Sequence, residues 1–225
     1  MLKAARNDTT RAHIALEKLC QTYWYPLYAY VRRGGHSIHD AQDLTQAFFA
    51  RLLEKDYLKT VDPDKGRFRT FLLVALKRFL ANEWDRSSAL KRGGARSHVS
   101  LDTSMAETHY ESEAAMLSTP ERTFDRHWAL TLLNQTMARL KQDFAAAGKS
   151  EEFEMIKVFL TAEKNSIRYD KIAKAAGMSE GALRVATHRL RKRFREIFRQ
   201  EIAHTVAGPE AIDEEVRYLI SVLGE

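Results

Sequence analysis

Cysteine occurs once in this 225-residue chain, at Cys20, which excludes an internal disulfide and a zinc site built from cysteines. A reducing compartment, the cytoplasm, is the expected location. Glycine and proline are sparse too, at ten and four residues, which favours long helices over turn-rich β structure. No apolar run approaches the roughly 20 residues that cross a bilayer, and Met1 to Thr10 has no apolar signal core; neither a membrane span nor secretion is expected. The phosphate-cradling G-x-x-x-x-G-K-[ST] pattern and the dinucleotide G-x-G-x-x-G pattern do not occur. Gly177-Met178-Ser179-Glu180-Gly181 has the form G-x-S-x-G, but an alanine-rich helical stretch stands where a nucleophile elbow needs a strand, so Ser179 reads as a helix cap. His36 and His39 have no third ligand near them in sequence and read as surface residues. No catalytic residue, metal or cofactor is expected.

What the chain does have is charge and helical periodicity. It is 44% hydrophobic and 29% charged, with a net charge of +6 and a pI near 9.4. That balance fits a globular chain with a polyanionic partner. The pattern predicts an all-α protein: two small helical domains joined by a flexible linker, the second containing a helix-turn-helix. The expected boundaries are 1–90 for the first domain, 91–119 for the linker, 120–208 for the second domain and 209–225 for an amphipathic tail. In the first domain Leu16, Leu19, Tyr23, Leu27 and Tyr30 recur at helical spacing, with Pro26 expected to kink or interrupt their helix. Ser37 opens a second helix in a capping-box-like pattern with Asp40 at the third position, and Ala41, Leu44, Phe48 and Leu52 continue it. Phe68, Phe71, Leu72, Ala75, Leu76 and Phe79 stripe a third. The linker lacks a sustained period and divides by charge, basic over 86–100 and acidic over 101–121. Thr119-Pro120-Glu121 opens the second domain as cap, first-turn proline and first-turn acid.

The stretch from Tyr169 to Phe198 carries the chemistry. Tyr169, Ile172, Ala173 and Ala176 fit the inner face of a short helix. Gly177 supplies a left-handed turn and Ser179 caps the next helix. There, Leu183, Thr187, Leu190, Phe194 and Ile197 form the inner face, while Arg184, Val185, His188 and Arg191 point outward. Between Gly181 and Arg199, seven arginines or lysines stand against one glutamate. A capped second helix with that charge after a glycine turn is the layout of a helix-turn-helix that enters a DNA major groove, where phosphates need cations and guanine accepts arginine bidentately.

Residues 169–194 resemble the −35-reading helix-turn-helix of extracytoplasmic-function (ECF) sigma factors, initiation subunits of bacterial RNA polymerase. Tyr-Trp-Tyr-Pro-Leu-Tyr-Ala-Tyr-Val-Arg-Arg (23–33), Asp-Ala-Gln-Asp-Leu-Thr-Gln-Ala-Phe-Phe (40–49) and Gly-Arg-Phe-Arg-Thr-Phe-Leu (66–72) resemble that family's polymerase-binding and −10-binding domain, in the family's order. The resemblance implies a non-enzymatic alternative sigma factor whose partners are core RNA polymerase and promoter DNA. It implies polymerase binding by Asp40, Asp43 and Gln46, and −10 recognition and melting by Lys77, Arg78, Trp84 and Arg86. It further implies −35 reading by Arg184, Val185, His188, Arg189 and Arg191, and it leaves open an anti-sigma factor as a further partner. The chain departs from the family at Gln42 and Ala47, where glutamates are usual, at Arg78 for asparagine, at Ala186 for arginine, and in its tail. A docking surface short of acid raises the expectation that phosphorylation of Thr45 by a Ser/Thr kinase strengthens docking. The tail is expected to brace the second domain or, alternatively, to shield its basic helix. The competing reading of the whole chain is an autonomous helix-turn-helix regulator, which would dimerise on symmetric half-sites.

Overall fold

The computed structural model describes residues 9–54, 66–89, 119–161 and 168–224. Every regular element among them is helical: α1 Thr9–Arg33, α2 Ile38–Glu54, α3 Phe68–Ala89, α4 Pro120–Ala146, α5 Ser150–Ile156, α6 Val158–Thr161, α7 Tyr169–Ala175, α8 Glu180–Ala203 and α9 Pro209–Leu223. The linker, 91–119, lies outside the described residues except for Thr119. The described residues hold no helix long and apolar enough to cross a membrane.

The helix ends follow local chemistry. Ser37 Oγ accepts the Asp40 amide at 3.2 Å, capping the start of α2, and donates to the Asp40 carboxylate at 2.7 Å. Thr119 Oγ1 accepts the Arg122 amide at 3.2 Å, with Pro120 at the first position of α4. Pro26 does not interrupt α1, which runs through it from Thr9 to Arg33. Proline costs a helix interior roughly 3 kcal/mol. Here its neighbours Leu27, Tyr28 and Ala29 are fully buried, and that packing outweighs the local preference.

The chain forms two compact units: residues 1–131 with 203–225, and residues 132–202. α4 is therefore shared, its first part in one unit and its second in the other. In the first unit, Tyr23 stacks on Trp128 at 4.2 Å and Trp24 on Tyr28 at 4.8 Å, and Phe48 meets Phe79 edge to face. Leu27, Leu72, Leu76 and Phe124 are fully buried there. The second unit buries Leu140, Phe153, Ile156, Phe159, Ala173, Leu183, Leu190 and Ile197 as one cluster. Arg139 to Glu201 at 3.0 Å and Arg193 to Asp143 at 2.6 Å tie α4 to α8 within it.

The tail, expected against residues 120–208, meets Asp125 of that stretch and also Arg67 and Arg69 at the start of α3, all in the first unit. The buried Arg69 of α3 donates to Glu215 of α9 at 2.6 Å and to Asp125 of α4 at 2.7 Å. Tyr218 donates to Asp125 at 2.6 Å, with the Arg69 guanidinium 4.3 Å from its ring centre. Burial disfavours the Arg69 charge, but the bond to Glu215 and the charges of Asp125 and Glu215 outweigh it and raise its pKa. An apolar stripe in the sequence specifies that the tail packs, whereas these charged groups specify where.

Candidate nucleic-acid interface

The second unit presents α7, a turn and α8. Gly177 takes φ +63°, a left-handed conformation that a side chain would strain. The Met178 amide donates back to the Ala173 carbonyl at 3.0 Å, closing the end of α7. Ser179 Oγ accepts the Ala182 amide at 3.1 Å, capping α8. Leu183, Thr187 and Leu190 then face the core, with Phe194 half-buried beside them.

The opposite face is open. Val185 is 51% exposed, an unusual position for a β-branched apolar residue, and His188 and Arg189 are exposed beside it. Lys192 and Arg195 extend that stripe by steps of three; with Arg189 they have no ion-pair partner among the described residues. Arg184 is exposed but oriented: Glu180 accepts from it at 2.6 Å, and its guanidinium lies 4.4 Å from the Tyr169 ring centre. Arg191 differs from these. Its Nε and Nη2 donate to the Phe159 carbonyl at 3.2 and 2.9 Å, so its guanidinium caps α6. Arg191, expected in the DNA-facing set, is exposed, and its guanidinium serves the fold in this way. Arg193, engaged with Asp143, has its pKa raised by that bond and serves the fold likewise.

In the first unit, Asp40 and Asp43 are exposed on α2 and Gln46 is half-buried. Asp40 is already engaged by Ser37. Thr45 is fully buried, and its hydroxyl donates to the Ala41 carbonyl at 2.7 Å. Phosphorylation at Thr45 required a surface hydroxyl; α2 instead turns it into the core beside Phe48 and Phe49, and that expectation is withdrawn.

α3 carries the remaining expected contacts. Trp84 is 70% exposed and Arg78 is exposed. Lys77 pairs with Glu121 at 2.7 Å; that bond raises the Lys77 pKa and lowers that of Glu121. Arg86 lies on α3, and its side chain is outside what the structure describes. Arg67 and Arg69, at the start of α3, were not singled out as site residues. Both are held by acids of α9, and the sequence signal for them was the arginine pair in Gly-Arg-Phe-Arg.

No curated protein and no solved structure matches the chain significantly. Residues 19–89, from Leu19 in α1 to the end of α3, match the family model of Sigma-70 region 2, the region that carries the acids of α2 and the exposed Trp84 and Arg78 of α3.

Proposed function

We propose that this chain is a sigma factor of the ECF group: a subunit that docks on core RNA polymerase through α2, engages the −10 element with α3 and reads the −35 element with α8. The observation that carries the reading is the match of residues 19–89 to Sigma-70 region 2. The capped α8, with its outward stripe from Val185 to Arg195, supports the second half. Arg184 and Arg189 supply base or phosphate contacts, and Val185 supplies an apolar contact to a thymine methyl. On α3 the exposed Trp84 offers a ring face for an unstacked base, and Arg78 a cation for its phosphate. Lys77 contributes only by exchanging Glu121 for DNA. The chain binds and positions, and polymerase does the covalent chemistry.

Purified core polymerase with and without the chain, followed by sequencing of transcripts started on genomic DNA, tests the reading. New shared start sites that depend on both components support it. DNA binding as a dimer with no polymerase-dependent starts would favour the autonomous regulator instead.

A further inference from the structure

The start of α3 carries two arginines already held by acids of this chain: Arg67 at the surface and Arg69 buried, where Asp125 holds it too. Arg67 contacts Glu214 at 2.6 Å and Glu215 at 2.9 Å, and Arg69 contacts Glu215 at 2.6 Å. The Phe68 amide, at the N-terminus of α3, donates to the Thr205 carbonyl at 2.8 Å. Carboxylate oxygens on guanidinium groups beside a helix N-terminus take the geometry that phosphate oxygens take. Arg67 and Glu214 also rim a groove of about 800 Å³. Phe71 and Val74 line it, and so do Arg51 and Arg78, neither of which has an ion pair among the described residues. For a helix that only braces, buried charge is a poor choice, because well-packed apolar side chains hold as well or better. The outer pair is accessible: Glu214 is two-thirds exposed, which gives a competing anion a point of entry.

We propose that α9 is an intramolecular mimic of nucleic-acid backbone. Glu214 and Glu215 occupy Arg67, and a DNA strand displaces them to bind that cation along the groove lined by Arg51 and Arg78. The free chain is thereby kept from binding DNA through its first unit. The proposal does not require polymerase, so its test stands apart from that of the sigma-factor reading.

The test compares the full chain with its E214Q/E215Q variant, titrated with a labelled single-stranded DNA oligonucleotide over a series of salt concentrations. The variant is expected to bind more tightly. Its slope of log affinity against log salt stays close to that of the wild type, since both make the same phosphate contacts once DNA is bound. Adding R67A to the variant is expected to remove most of that gain in affinity. In the wild type, hydrogen exchange of the α9 amides should lose protection at saturating oligonucleotide. A folded E214Q/E215Q variant with wild-type affinity overturns the proposal, and so do α9 amides that stay protected at saturation. If the variant does not fold, the wild-type exchange measurement decides alone.

Discussion

Three arginines of α8 carry the same charge and do different work. Arg184 is held over Tyr169 on the open face, whereas Arg191 and Arg193 are bonded to the Phe159 carbonyl and to Asp143. Arg184→Ala is expected to cost roughly 1–3 kcal/mol of promoter affinity and to relax preference at one base pair, read by competition with single-base variants. Arg191→Ala is expected to leave base preference unchanged and to lower thermal stability by about 1 kcal/mol, the worth of a typical hydrogen bond, read by melting. Helical spacing was enough to place Arg184, Val185 and His188 outward. It could not separate Arg191 from them, because its acceptor lies 32 positions away in sequence. Thr45 was misplaced for a related reason. It sits four after Ala41 and four before Phe49, inside the apolar stripe, and its own i−4 carbonyl satisfies the hydroxyl. Thr45→Val should therefore fold. Thr45→Glu should destabilise by about 2 kcal/mol or more, because it buries an unpaired acid, and denaturant unfolding of both variants checks this.

At the scale of elements, the starts and stops of helices were the most legible features. Ser37, Thr119 and Ser179 accept amides at helix starts, as their positions in sequence imply, and Gly177 takes the left-handed turn between α7 and α8. These are local interactions, so local sequence is sufficient to find them. Ser179→Ala is expected to cost about 1 kcal/mol, and Gly177→Ala about 1–2 kcal/mol. Both losses should appear in the unfolding of the second unit, because both sites lie in it. The passage of α1 through Pro26 was not legible, since what sustains the helix there is burial of Leu27, Tyr28 and Ala29. The partner of α9 was hidden in the same way. Its apolar positions show that it packs, but Arg67, Arg69 and Asp125, distant in sequence, decide on what.

For the whole molecule, that choice changes what the tail does. The acids of α9 complete the first unit by meeting arginines at the start of α3, inside the stretch that matches Sigma-70 region 2. Arg69→Ala is accordingly expected to destabilise the first unit by about 3 kcal/mol, because it leaves Asp125 and Glu215 buried without their shared cation. A lowered melting midpoint for the first unit, with that of the second unit unchanged, is the signature to look for in calorimetry. The central claim is that this chain gives polymerase a choice of start site, through acids on α2 and an open basic face on α8. The most direct measurement maps transcript starts made by purified core polymerase with the wild-type chain and with a folded Asp43→Arg variant. The account predicts a set of starts that appears only with the wild-type chain and fades with the variant, as charge reversal weakens docking. It is contradicted if the wild-type chain adds no starts and does not associate with the core enzyme.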